Sequence, residues 1–170
     1  MEEYEIRIEW EGPLKLREVI EKKSDAGKHP DWDGDDYGLY QIYGRHILYG
    51  TNTLLYVGLA TEQTFSQRLL EHSREWLESD QDDRDREIYL GRIYHRGRHS
   101  KNDSWLSWKQ DVQLAERILI HKYSPNYNSD GLTIEPDLSP YKNVRLIHTG
   151  ERNRLNEKFA SPALILYLDK

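Results

Sequence analysis

The chain has no cysteine at all. Disulfides, zinc fingers, iron–sulfur clusters and a cysteine nucleophile are therefore excluded. The absence fits a reducing compartment such as the cytosol. It also has a single methionine and two phenylalanines. No apolar run approaches the roughly 20 residues that span a bilayer. The acidic start Met1-Glu2-Glu3-Tyr4-Glu5 lacks the apolar region of a signal peptide. These features lead to the expectation of a soluble cytoplasmic protein with no membrane partner. Excess positive charge is missing too, because the net charge is -6. A chain that coats nucleic acid without regard to sequence is normally basic.

What is present is aromatic and polar. Twelve Tyr and five Trp can supply much of a core in a chain that is 36% hydrophobic and 32% charged. The 170 residues suit one domain with one core. Charge is unevenly spread. Twelve acids face six bases over residues 1–40, whereas nine bases face five acids over residues 84–122. An acidic protein with a basic middle can still meet a phosphate backbone locally.

Periodicity divides the chain into short elements. Tyr4, Ile6, Ile8 and Trp10 alternate as in a strand, which Gly12-Pro13 should break. Leu14, Leu16, Val19 and Ile20 predict a short amphipathic helix. Residues 28–36, with Pro30, Gly34 and four Asp, read as a loop. Tyr37–Tyr43 and Leu54–Leu59 read as antiparallel strands, with Ile47–Tyr49 extending the first or forming a small extra one, and Gly50-Thr51-Asn52-Thr53 making the reversal. A helix is expected over Ser66–Leu77, a third strand over Ile88–Tyr94, and a long helix over Trp105–Lys122 capped by Ser104 and ended by Pro125. Residues 133–143 should be irregular, with late strands at Val144–Ile147 and Leu164–Leu168.

Six positions carry the chemistry. Arg68 and His72 are four apart, so a helix puts them on one face. The guanidinium matches phosphate oxygens, and the imidazole can pass a proton near neutral pH. Glu116 interrupts the apolar stretch Leu114-Ala115 and Ile118-Leu119, where an unpaired carboxylate is costly unless a cation or metal meets it. An ordinary helix-face pairing with Arg117, Lys109 or Lys122 would also satisfy it. Tyr40 and Tyr56 lie on neighbouring strands, and Asn128 lies in the turn after Pro125. Each of these alone has a plain reading as packing, surface or turn residue. Together they supply hydroxyls, an imidazole, a cation and a carboxylate, which is what phosphodiester cleavage needs.

The ordered set resembles the GIY-YIG nuclease family. Gly38-Leu39-Tyr40 is similar to the GIY element and Tyr56-Val57-Gly58 to the YIG element. Arg68 takes the place of the family's helical arginine, and His72 that of a histidine one turn later in some members. Ala115-Glu116 and Asn128 resemble the metal-binding glutamate and the later asparagine. The resemblance covers residues 37–128 of a single domain, with 1–36 and 129–170 as extensions. It implies an α+β fold with a small three-stranded antiparallel sheet flanked by helices. It further implies a metal-dependent endonuclease with one Mg2+ (or Mn2+) on Glu116, acting on double-stranded or branched DNA. Tyr40 would position or deprotonate the attacking water. Arg68 would neutralise phosphoryl charge, Tyr56 would bond phosphate or water, and Asn128 would brace the site. A double-strand cut with one site per chain would favour a homodimer. Arg92, Arg96, Arg98, Lys101 and Lys109 are the expected backbone contacts. Trp105 and Trp108 are expected to pack rather than stack on bases. Two other readings remain open: an inactive nucleic-acid-binding module on the same fold, and an acidic interaction or inhibitor protein marked by its first forty residues.

Overall fold

The computed structural model describes residues 4–21, 37–73, 86–93, 104–130, 132 and 144–160. Nine elements follow in order: β1 (Tyr4–Leu14), α1 (Leu16–Glu21), β2 (Gly38–His46), β3 (Gly50–Ala60), α2 (Phe65–His72), β4 (Glu87–Ile93), α3 (Ser104–Tyr123), β5 (Val144–Gly150) and β6 (Lys158–Ala160). The mixed α+β expectation holds at this level. The expected loop at 28–36, the irregular stretch at 133–143 and the late strand at Leu164–Leu168 lie outside the described residues.

The expected three-stranded antiparallel sheet is too small. One six-stranded sheet runs in the order β3-β2-β4-β1-β5-β6. Its β3, β2 and β4 form the antiparallel part that the sequence indicated. Strand β1 then pairs antiparallel with β4 and parallel with β5. The N-terminal strand and the late strand therefore complete the sheet. The reason is visible in β1, where Ile6, Ile8 and Trp10 are buried while Arg7 and Glu9 are exposed. A strand with such an apolar face needs neighbours and a covering layer.

Pro13 does not end β1 as expected. The parallel pairing with β5 finishes at Trp10 and Gly150, so beyond that point no β5 neighbour needs a donor from proline. The reversal between β2 and β3 also falls earlier than expected. Ile47–Tyr49 form the turn, and Gly50, with φ +81°, already pairs with His46. That positive φ favours glycine.

The sheet is covered on both faces. Val19 of α1 and Phe65 and Leu69 of α2 pack with Tyr40, Ile42, Ile88 and Leu90 on one side. Val112, Ala115, Ile118 and Leu119 of α3 pack with Ile8, Trp10, Leu39 and Val57 on the other. Neighbouring strand residues thus divide between two cores, as period-2 geometry requires. Trp108 is 1% exposed and its indole donates to the Ile93 carbonyl at 2.9 Å, so it packs as expected. The side chain of Trp105 lies outside what is described.

Candidate active site

The site begins with two glycines. Gly38 has φ +145°, and an added Cβ would lie 2.2 Å from the Gly91 carbonyl oxygen. At Gly58 an added Cβ would lie 2.5 Å from both Cζ and the hydroxyl of Tyr40 and 2.6 Å from Cε1 of Tyr56. Glycine lets the Tyr40 ring lie across the β3 backbone. Tyr40 pairs with Gly58 in the ladder. The two tyrosine rings then stack with centroids 6.0 Å apart.

Helix α2 brings the next pair. Thr64 caps it, accepting from Gln67 N at 3.3 Å while Gln67 Oε1 accepts from Thr64 N at 3.1 Å. This reciprocal capping box fixes where the helix starts, and so where Arg68 and His72 emerge. His72 turns inward and is 4% exposed. Its Nε2 lies 2.6 Å from the Tyr40 hydroxyl. The imidazole meets the Tyr56 ring edge-on at 5.2 Å. Arg68 remains partly open and bonds Glu71 at 3.2 Å.

Glu116 arrives from α3 on the other side of the β3 edge. Tyr56, Arg68 and Glu116 line one cleft of about 380 Å³, together with Leu59, Ala60, Thr61, Glu62 and Gln63. Among the described residues, no hydrogen bond or ion pair engages the Glu116 carboxylate. Burial pushes its pKa up to about 7, with the charges of Arg117 and Arg68 opposing. The ordinary helix-face pairing weighed for this residue is thus not formed.

Tyr40 stands elsewhere than its expected role requires. It is 0% exposed and lies behind Tyr56, with no surface in the cleft. Burial raises its phenol well above the usual value, and Tyr56 adds to the rise while Arg68 opposes it. Burial alone would lower the Arg68 guanidinium, but Tyr40, Glu71 and Tyr56 outweigh it and leave the pKa raised. Tyr40 is therefore a neutral phenol whose oxygen leads to His72.

Asn128 braces the strand. It accepts from Val57 N at 2.9 Å and donates to Val57 O at 2.8 Å. Tyr127 N donates to Leu55 O at 2.8 Å. The turn after α3 thus satisfies the outer edge of β3, an edge otherwise open to pairing with another chain. Ser124, with φ +45°, and Pro125 end α3 and start this turn.

The expected DNA-contacting bases divide differently. Arg92 is 7% exposed and pairs with Glu11 at 2.8 Å, so it offers almost no surface to a phosphate backbone. It sits within β4, and β4 is covered on both faces. Lys109 forms an ion pair with Glu62 at the cleft rim. Arg96, Arg98 and Lys101 lie outside the described residues. Sequence reasoning missed Gln63, Glu62 and Glu71, which surround Arg68 and Lys109. The Thr64-to-Gln67 spacing was a signal for the cap, and Glu71 at three residues from Arg68 was a signal for the pairing.

Among the described residues, no group of three or more acidic or histidine side chains forms a cage. A metal held here would rest on Glu116 and keep water ligands. Mg2+ is commonly held in that way, by one or two carboxylates with substrate phosphate. A desolvated carboxylate with no partner among the described residues fits such an ion, since a nearby cation would restore its charged form. Comparison with known proteins finds no matching family model, no matching curated protein and no matching solved structure.

Proposed function

We propose that this chain is a metal-dependent endonuclease that hydrolyses DNA phosphodiester bonds in the cleft at the β3 edge, with a site of GIY-YIG type. One observation carries the reading: a tyrosine, a guanidinium and a carboxylate with no hydrogen-bond or ion-pair partner among the described residues line the same cleft, with a histidine–phenol pair directly behind them.

Each side chain has a task. Glu116 holds the divalent ion, Mg2+ or Mn2+. That ion, when bound, supplies Lewis-acid charge to the scissile phosphate and the leaving oxygen. Arg68 donates to the phosphoryl oxygens as negative charge grows on them. Tyr56, the phenol in the cleft wall, orients the attacking water. The water oxygen bonds to phosphorus as the bond from phosphorus to the leaving oxygen breaks. Its proton passes to solvent in the open cleft, while the Tyr40 hydroxyl, held 2.6 Å from His72 Nε2, backs the Tyr56 ring. The leaving oxygen takes a proton from solvent. This supporting place suits a phenol that burial keeps neutral, because Tyr40 never has to carry a charge. Asn128 holds the β3 backbone between Tyr56 and Gly58 and so fixes the ring that faces the phosphate.

The test is digestion of plasmid and branched DNA with magnesium by the wild type, Arg68→Ala and Glu116→Ala. Cleavage by the wild type and its loss in both variants is expected. A protein that binds these DNAs but cuts none of them, with magnesium or with manganese, is the inactive binding module instead.

A further inference from the structure

A second cavity, of about 470 Å³, lies further along the same β3–α3 seam. Its walls include Tyr43, Tyr49, Tyr123, Ser124, Asn126 and Arg154. By helix rise Tyr123 stands about 10 Å beyond Glu116, and by strand rise Tyr49 stands about 20 Å beyond Tyr56. At ~3.4 Å per nucleotide along one strand, that is roughly three to six nucleotides from the cleft.

Hydrogen bonds tie the inner side of the cavity together. Tyr43 donates its hydroxyl to Gln41 at 2.8 Å. The Tyr123 oxygen accepts from Asn156 N at 3.0 Å. Asn52 and Asn153 exchange amide hydrogen bonds of 3.4 and 3.0 Å, tying the hairpin to the loop that carries Arg154. The outer side is open and aromatic. Tyr49 is 67% exposed and its ring stacks on His46 at 4.9 Å, with Tyr127 at 6.4 Å from the same imidazole. Leu48 N donates to His46 Nδ1 at 3.2 Å, which orients that imidazole. Beyond this ledge, Ile47 and Leu48 stand 94% and 79% exposed at the tip of the turn. Among the described residues no acid pairs with the exposed Arg154 guanidinium.

These parts match one chemistry. A stacked aromatic ledge accepts the face of any base. A guanidinium that no described acid pairs with can donate to phosphate oxygens. The Asn126 amide can meet a base edge, and protruding Ile and Leu side chains wedge between stacked bases in proteins that open duplexes. An intact duplex cannot use the ledge, because its bases are already stacked on one another. We infer that the β2–β3 hairpin tip and the cavity beneath it hold an unpaired nucleotide of the substrate, with its base on Tyr49 and its phosphate on Arg154. The substrate is therefore DNA with a single-stranded or unpaired segment a few nucleotides from the cut. This rests on the reading of the ligand as DNA and assigns the second cavity a role in choosing it.

Fluorescence anisotropy on the full chain without divalent metal tests the inference, with a labelled fork and a blunt duplex of the same sequence. The wild type should bind the fork about tenfold more tightly. Tyr49→Ala and Arg154→Ala should each remove most of that preference, weakening fork binding far more than blunt-duplex binding, while Tyr49→Phe keeps it. Circular dichroism should show both alanine variants folded, since both side chains are exposed. Equal affinity for fork and duplex, or a preference that survives both substitutions, overturns the inference and leaves the cleavage reading standing. A preference that Tyr49→Ala abolishes, in a protein that cuts neither DNA with magnesium, supports the inference and sinks the cleavage reading. If Tyr49→Ala converts a dimer to a monomer in sedimentation without altering fork affinity, the tip is a subunit contact and the inference is overturned.

Discussion

Replacing Asn128 by alanine removes both halves of the clamp on Val57. The two hydrogen bonds are 2.9 and 2.8 Å long, and the asparagine is only 7% exposed. Each bond contributes about 0.5–1.5 kcal/mol net, and a buried partner left without water costs about 1–3 kcal/mol. Truncation opens some room for water beside the edge strand, which offsets part of the larger figure. The expected loss is about 2–4 kcal/mol. For a domain of this size that is a fall in Tm of roughly 4–16 °C. Urea unfolding followed by circular dichroism should show the midpoint falling with the slope unchanged. Because the clamp sits between Tyr56 and Gly58, cleavage should fall as well, even in buffer where the variant is fully folded. A variant within about 0.5 kcal/mol of the wild type would refute the view that the asparagine holds the strand and not merely its own turn.

Four further outcomes follow from the same geometry. Gly58→Ala places a methyl 2.5 Å from the Tyr40 ring, so it should cost about 1–3 kcal/mol in urea unfolding and an unchanged midpoint would contradict the packing. Glu116 has a folded pKa raised from 4.5 to about 7, so its proton favours the fold. Without metal, stability should therefore fall by about 3 kcal/mol as pH rises from 4.5 through 7, and Glu116→Gln should lack that fall. Magnesium at pH 8 should raise the Tm of the wild type and not of the Gln variant; equal responses would place the ion elsewhere. Burial, with Arg152 second, lowers His148 to about 4, and its Nδ1 accepts from the Trp10 indole at 2.9 Å. The imidazole should thus stay neutral in NMR titration as pH falls from 6.5 toward 4, with its stabilising contribution lost across that window; a midpoint near 6.5 would contradict the buried pairing.

The local parts of this fold were legible because they depend on near neighbours. Alternation in Tyr4–Trp10 and the apolar face of Val112–Leu119 mark their elements directly. The parallel pairing of β1 with β5 was not, because it joins residues about 140 apart and leaves no short-range pattern. The site shows the same division. Helical spacing put Arg68 and His72 on one face, yet it could not say that His72 turns in toward Tyr40 while Arg68 opens to the cleft. Glu116 was legible as a carboxylate in an apolar stretch, since the cost of burying it is written in its neighbours. Tyr40 was harder: a hydroxyl on a strand reads the same whether the strand is at an edge or, as here, between β3 and β4. Arg92 was misread for that reason too, because a basic residue near a basic segment gives no sign that both faces of its strand are covered. The second cavity was invisible in sequence, since its walls come from the hairpin, the end of α3 and the loop before β6.

The most direct test is cleavage of one labelled branched DNA with magnesium by the wild type and by Glu116→Ala, with affinity measured in parallel. Cutting by the wild type, together with a variant that binds equally and cuts at least about a hundredfold more slowly, is what this account predicts. Undiminished cutting by Glu116→Ala would contradict it.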